Sequence, residues 1–572
     1  MEKRVLLAII LSLAVLLLWQ ALFPSPKPRR VKSVPPQQTE QETMPQEEVL
    51  PVTGRDKKVG VSSLPTSKAK PEYATLPPEK EIVINTDLYT ATFSSRGASL
   101  KSLELLRYRN KIALPNICFV FPFSLLYGKK QLQQDDQPKE LVNTQGLDNN
   151  PLQTTFDGPD LGNYDLAPFA ANTSYLELDS SNHRGEITFS FLSKEGVAFT
   201  KKFTFLNDSY YIDYDFTLEN NSPKTLEGNS TVRWATAVKS EGEKKTGGFF
   251  GGIGGDTQQF AYLISDKVNR VELKDIEENK VFSGDIKWAG FEEKYFVSSL
   301  ISHEVQGSKL KLFRSENSGV DYQLVSSLVK IPPNAQQTFP YSLYLGPKDL
   351  NALEKGRGEL GRVVSFGFFD PVAKPMLFLL NLFYKFIPNY GLAIIFLSVG
   401  IKIIFWPLTH KSQKSMKGMQ KLQPKIAELK EKYKNNKEEL NRKTMEFYRT
   451  NKVNPLGGCL PIVIQIPVFF ALYRVLLNSI ELRHAPLISF WINDLASKDP
   501  TYISPLVMGA SMFIQQKMTP TVGDPAQAKI MLIMPVMFTF MFLSFPSGLV
   551  LYWLVTNVLS IGQQYYINKH SF

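Results

Sequence analysis

The sequence predicts a multi-domain membrane protein: an N-terminal anchor helix, a large exported β-sandwich domain and a transmembrane core of five helices. Three observations lead there. Apolar residues concentrate at the extreme N-terminus and again beyond about residue 376, the pattern of membrane spans flanking a soluble block. The block between them alternates apolar and polar residues with period two. Residues 411–455 carry thirteen Lys and Arg against five Glu, and they lie between two hydrophobic runs, where the positive-inside rule expects a cytoplasmic loop. That loop supplies much of the net charge of +11, so the charge argues for topology rather than for nucleic acid. Cys118 and Cys459 are too far apart in sequence and character to suggest a disulfide framework or a Cys-based zinc site. His183, His303, His410, His484 and His570 are scattered, with no pair at metal-ligand spacing. No metal and no cofactor are expected.

Residues 1–23 read as the anchor. Lys3 and Arg4 precede an apolar run that ends in Trp19, Gln20, Leu22, Phe23 and Pro24. A cleavage site wants small residues there, so the run is read as uncleaved, with the N-terminus cytoplasmic; a removed signal peptide is the alternative. Residues 24–80 are rich in Pro, Gln, Glu, Lys and Thr and nearly lack aromatic residues, the composition of a disordered tether. Over residues 81–346, Tyr210, Ile212, Tyr214, Phe216 and Leu218 alternate with Tyr211, Asp213, Asp215 and Thr217. Repeated short strands of this kind, separated by turns such as Asn220-Asn221-Ser222-Pro223, make a β-sandwich. The glycine run at 247–255 lacks the Lys-Ser/Thr pair of a phosphate loop and reads as a surface loop.

Residues 347–390 are a connecting and interfacial region. Met376 to Leu380, with Leu382 and Phe383, are apolar, while Lys374, Asn381 and Lys385 fall on one helix side. The stretch is shorter than the ~20 residues a span needs, so a helix lying in the interface is expected. The core, residues 391–572, holds apolar segments near 391–409, 459–477, 503–514, 530–545 and 548–561. With the anchor these make six spans, which puts both termini and the basic loop in the cytoplasm. Within that loop Met416, Met419, Leu422, Ile426, Leu429 and Tyr433 recur at helical spacing, and a two-helix hairpin over 411–455 is expected.

No HExxH, GxxxxGK[ST] or GxSxG motif is present. Ser547 has no activating group in a neighbouring span except Lys402, so no enzyme is expected. Three features remain. Lys402 stands inside an apolar run, where an ionisable residue is costly; it either serves the function or snorkels toward His410. Thr556, Asn557, Ser560 and Gln564 form a polar stripe beneath Trp553, Ser398 lies four residues before Lys402, and Gln465 adds an amide. These groups either bond between helices or line a wet concavity. Several segments are also short for a ~30 Å hydrocarbon core, which favours local thinning of the bilayer.

The run Asn454-Pro455-Leu456-Gly457-Gly458-Cys459-Leu460-Pro461, continuing through Gln465-Ile466-Pro467-Val468-Phe469, resembles the signature of the YidC/Oxa/Alb family of membrane-protein insertases. Trp406-Pro407-Leu408-Thr409, Lys421-Leu422-Gln423-Pro424-Lys425 and Phe545-Pro546-Ser547-Gly548-Leu549 are similar to it at three further places. The anchor, tether and β domain, with Tyr344-Leu345-Gly346-Pro347-Lys348, resemble the Gram-negative form. The resemblance implies a bacterial inner-membrane protein with a five-helix core, a hydrophilic groove open to the cytoplasm and lipid, and a β-supersandwich in the periplasm. It implies work on nascent membrane proteins, alone and with the Sec translocon and its accessory subunits, as insertase and chaperone. The groove's basic residue, usually Arg, falls on Lys402, and its aromatic residue on Trp553. Membrane lipids, and weakly the translating ribosome through the basic loop, are the remaining expected partners. A solute channel or transporter, and an assembly protein acting through its β domain, are the competing readings.

Overall fold

The computed structural model describes residues 78–570 except 111–114, 120–136, 145–146, 148–149, 160, 239–257, 277–278, 316–318, 357, 435, 452, 454–459 and 520–524. The expected anchor, nearly all of the expected tether, the glycine run at 247–255 and most of the 454–461 motif lie outside the described residues.

Alternation of side chains builds the β domain. In the strand Tyr211–Asn220, Ile212, Tyr214, Phe216 and Leu218 are fully buried, because successive residues of a strand point to opposite faces. This strand lies near the middle of a nine-stranded sheet, ordered Lys267–Glu272, Gln259–Ile264, Ile286–Glu292, Phe296–Ser302, Gln336–Pro347, Tyr211–Asn220, Val197–Leu206, Arg184–Leu192 and Ala170–Ala171. Antiparallel pairing on both sides sets Tyr214 opposite Tyr341 and Phe203. The Tyr214 ring stacks on Phe203 at 4.6 Å and on Tyr341 at 5.7 Å. Its hydroxyl donates to Thr154 Oγ1 at 2.6 Å, which satisfies the polar tip of an otherwise apolar side chain.

Thr154 belongs to a six-stranded sheet, in which Gln153–Asp157 pairs with Leu226–Ala237. The Tyr322 hydroxyl of that sheet donates to the Ala289 carbonyl of the nine-stranded one at 3.2 Å. A five-stranded sheet that includes Glu81–Asn85, Tyr89–Ser94 and Ser99–Arg109 covers another part, with Phe93 on Phe203 at 4.8 Å. The large sheet is thus shared by two smaller ones. One buried position is not apolar: Lys201 is fully buried, donates to the Gly97 and Leu152 carbonyls at 2.6 and 3.2 Å, and lies 5.2 Å from the Phe169 ring.

Beyond a single helical turn at Leu350–Leu353 the chain is helical: α1 Asp370–Phe386, α2 Tyr390–Lys432, α3 Lys437–Thr450, α4 Leu460–Asn478, α5 Ile503–Met518, α6 Pro525–Phe542 and α7 Ser547–His570. α1 buries Ala373, Met376, Leu377 and Leu380 and leaves Phe378 and Phe386 exposed. α2 has 43 residues, about 65 Å at 1.5 Å per residue, and joins the 391–409 segment to the first arm of the basic hairpin without a break. The change of charge after Thr409 predicts a boundary there. The backbone does not follow the charge, since Lys, Gln and Met are good helix formers and Pro407 and Pro424 each remove only one donor. Among the described residues α2 is the one helix long and apolar enough to cross a membrane by length and composition; α4, α5 and α6 have 19, 16 and 18 residues.

The Tyr214 stack gives a graded test of the sandwich. Tyr214→Phe loses one hydrogen bond, expected to cost about 1 kcal/mol, whereas Tyr214→Ala empties the space between two rings, about 3–5 kcal/mol. Denaturant titration of the β domain's fluorescence should rank them so. Equal losses would mean that the stack carries no packing energy.

Candidate functional site

The N-terminal end of α7 explains its own sequence. A Cβ on Gly548 would lie 2.7 Å from Leu476 Cδ2, 3.1 Å from the Leu495 carbonyl oxygen and 3.2 Å from Ile394 Cδ1, so glycine lets α7 start closely packed between α4, α2 and the loop before α5. The Ser547 and Gly548 amides donate to the Ser497 and Leu495 carbonyls at 2.7 and 3.0 Å, and Ser547 Oγ donates to Asp494 O at 2.9 Å. Ser547 is therefore an anchor for a loop. That loop is braced by the buried Asp499 carboxylate, which accepts from Trp491 Nε1, from the amides of Thr501 and Ser504, and from both of their hydroxyls at 2.7–3.2 Å. Together they close one end of the helix bundle.

From this closed end a polar seam runs along α7. Gln465 of α4 donates to the Tyr552 hydroxyl. Thr556 and Ser560 return their hydroxyl protons to Tyr552 O and Thr556 O at 2.8 and 2.7 Å, the i−4 bond that lets a hydroxyl sit in an apolar helix. Ser560 Oγ in turn accepts from Lys402 Nζ of α2 at 2.7 Å. The ammonium makes no ion pair among the described residues, and two of its three donors remain for another acceptor.

The stripe read from the sequence is split between two neighbours. Ser560 faces α2 through Lys402, while the Thr556 hydroxyl bonds within α7. Asn557 instead donates to Ser511 Oγ of α5 at 3.0 Å, and Gln564 to Met518 O at 2.8 Å. Ser398 is buried and donates to its own helix at Ile394 O, 2.6 Å away, rather than meeting Lys402. Trp553 stands apart in an aromatic cluster, 5.2 Å from both Phe469 and Phe542 and 6.0 Å from Phe538.

Other polar groups of the seam escaped the sequence reading. Gln563 is buried and donates to Trp406 O at 3.5 Å; its place three residues after Ser560, on the same face, was the available signal. Lys417 Nζ donates to Ile567 O at 2.9 Å, where a cation suits the carbonyl end of a helix. Arg474 is a second cation within an apolar helix, one turn from the end of α4, close enough to reach an interface.

The comparisons with known proteins agree across the whole length. A family model described as the 60Kd inner membrane protein matches residues 382–572, and one described as the YidC periplasmic domain matches residues 122–379. The membrane protein insertase YidC of Citrifermentans bemidjiense is 39% identical over 100% of this chain and 99% of its own. The chain belongs to the YidC family of membrane protein insertases. The YidC of Syntrophus aciditrophicus is 40% identical over 100% of both chains. Among solved structures, the active YidC insertase with its first transmembrane domain resolved is 18% identical, covering 86% of this chain and 93% of that one with a TM-score of 0.36. As in its YidC relatives, the β region is a periplasmic domain and the helical region an insertase core in the inner membrane.

The Lys402–Ser560 contact should be measurable as a coupling. Ser560→Ala leaves the ammonium without its hydroxyl and is expected to lower stability by about 1–3 kcal/mol. In the Lys402→Met background the same change should cost less than half as much. Melting curves in one detergent decide it; additive effects would show that the two side chains do not interact.

Proposed function

We propose that the α2–α7 seam is the floor of a hydrophilic groove in which an incoming protein's polar tail is held while its apolar segment passes into lipid. The observation that carries this reading is an ammonium among apolar helices, bonded to one hydroxyl and to no carboxylate among the described residues. A cation so placed attracts acids more strongly than it would in bulk water and can release them as the client moves on. Thr556 and Gln465 keep the floor polar, Asn557 ties α7 to α5, and Ser398 lets α2 pack closely beside Lys402. Trp553 with Phe469 and Phe542 offers an apolar wall for the client's span. Driving force comes from the client itself, roughly 25 cal/mol per Å² of apolar surface leaving water, and no cofactor enters.

In this reading residues 1–23 anchor the chain, both termini are cytoplasmic, and α1 lies in the outer interface with Phe378 and Phe386 toward lipid. The short α4, α5 and α6 thin the bilayer around the groove, which shortens the path of the tail. Clients arrive directly or through the Sec translocon, and the basic surface of the hairpin meets anionic lipid and, weakly, the ribosome.

Charge variants at one position test the capture step. Lys402→Arg should keep insertion of clients with acidic tails. Lys402→Ala should slow it about tenfold, the rate equivalent of ~1.4 kcal/mol, and Lys402→Glu should slow it further. A client with neutralised tail acids should be nearly indifferent to all three. Protease protection of the client tail in proteoliposomes reads the outcome; wild-type rates for all variants with acidic clients would remove Lys402 from the mechanism.

A further inference from the structure

After α4 the chain turns through Ile480–Leu482 into Arg483. Two charged residues of this short stretch have opposite surroundings. Arg483 reaches the β domain. Its Nη2 donates to the carbonyls of Arg109 and Asn110 at 2.8 and 3.2 Å, and its guanidinium lies 5.4 and 5.2 Å from the centres of the Tyr295 and Phe296 rings. Arg109 ends one strand, and Tyr295 and Phe296 sit where two others meet. The core therefore grips the β domain by a cation on carbonyls and aromatic faces, and the guanidinium keeps its proton and its charge at every pH below ~12.

Glu481 is the reverse case. Both carboxyl oxygens are buried with no hydrogen bond of good geometry, only the residue's own amide and the Asn381 side chain lying near enough to favour the charged form, and the group makes no ion pair among the described residues. Four side chains face it. The β domain contributes Tyr108 and Asp349, α1 contributes Asn381, and the start of α2 contributes Tyr390. None brings a positive charge. Asp349 is itself an acid, occupied in capping the turn at Leu350–Leu353 through the Asn351 and Ala352 amides at 2.8 and 3.1 Å. Asn381 Oδ1 accepts from the Tyr390 hydroxyl at 3.0 Å. On Glu481's own segment, Arg483 is committed to the β domain, and His484 donates its backbone amide to Asp494 Oδ1 at 3.1 Å. A neutral carboxyl is tolerated in such a place and a carboxylate is not.

We propose that Glu481 and Arg483 form a proton-sensitive clasp between the β domain and the helical core: the guanidinium holds the two together, and ionisation of the carboxyl loosens the hold. Burial pushes the Glu481 carboxyl from 4.5 up to about 7, with Asp349 adding to the rise and the residue's own amide and Asn381 opposing it. The docked form thus binds the proton more tightly than an open, hydrated form with an ordinary carboxyl. Docking is strongest below pH 4.5, weakens as the pH rises toward about 7, and levels off above that. Within the window the docked-to-open ratio falls by up to tenfold per pH unit.

The test uses the full-length protein in lipid nanodiscs, spin-labelled at the exposed positions Glu219 and Ser489, with the distance distribution measured from pH 4.5 to 8.5. The docked-to-open ratio should fall at least tenfold between pH 5 and pH 7.5. Glu481→Gln should hold it at its acidic value throughout, and Arg483→Gln should lower it at every pH while keeping the slope. A parallel series in the Arg483→Lys background brings a strongly docked joint into the measurable range. A ratio independent of pH in both backgrounds overturns the clasp. So does a Glu481→Gln protein that keeps the wild-type slope, since the titrating group would then be another, such as His484.

Discussion

An ammonium enclosed by apolar helices has to find an acceptor, and around Lys402 that requirement organises the seam between α2 and α7. Ser560 supplies the oxygen, but a serine in an apolar helix must dispose of its own proton, and it does so on Thr556 O. Thr556 repeats the device on Tyr552 O, and the Tyr552 hydroxyl accepts from Gln465. A line of polar contacts therefore follows from one cation and the rule that polar groups away from water are paired. The start of the line is held by packing of a different kind, since α7 begins where Gly548 has no room for a side chain. Moving α7 outward to admit a bulkier residue would carry Ser560 away from Lys402.

The two halves of the molecule answer to different solvents. The β domain closes on stacked aromatic rings drawn from a two-residue period, while the helical half keeps large apolar side chains such as Ile404, Phe540 and Ile533 outward, at 72%, 69% and 64% exposure. In water those side chains would be a liability; against lipid they are the outer surface. The joint between the halves adds a third element. It includes a guanidinium on backbone carbonyls and rings beside a carboxyl without a counter-charge, an arrangement that can be altered without unfolding either part.

Much of this was legible in the sequence because it rests on periodicity. Ile212, Tyr214, Phe216 and Leu218 announce a buried strand face, and Lys402 stands out because its neighbours are apolar. What escaped the reading depends on which helix lies beside which. The stripe of Thr556, Asn557, Ser560 and Gln564 is one face on paper, yet α2 meets Ser560, α5 takes Asn557 and Gln564, and Thr556 bonds within α7. Ser398 shares a helix face with Lys402 but satisfies itself on Ile394, a choice that a helical wheel does not reveal. Lys201 falls on the apolar side of its strand and is buried whole, because the Gly97 and Leu152 carbonyls come from distant segments. Glu481 and Arg483 look like an ordinary charged turn until the β domain is placed against them. Local order was readable from local pattern; partners from remote segments were not.

In the proposed mechanism the α2–α7 seam, rather than the β domain, meets the client during insertion. The direct measurement places a photo-crosslinking amino acid at Thr556, at Trp553 and, for comparison, at Thr217 on the large sheet, and exposes each to a ribosome-bound nascent membrane protein stalled with its first span emerging. Adducts to the nascent chain are expected from Thr556 through the client's polar tail and from Trp553 through its apolar segment. Adducts from Thr217 alone, with Thr556 and Trp553 silent at every stalled length, would contradict the account.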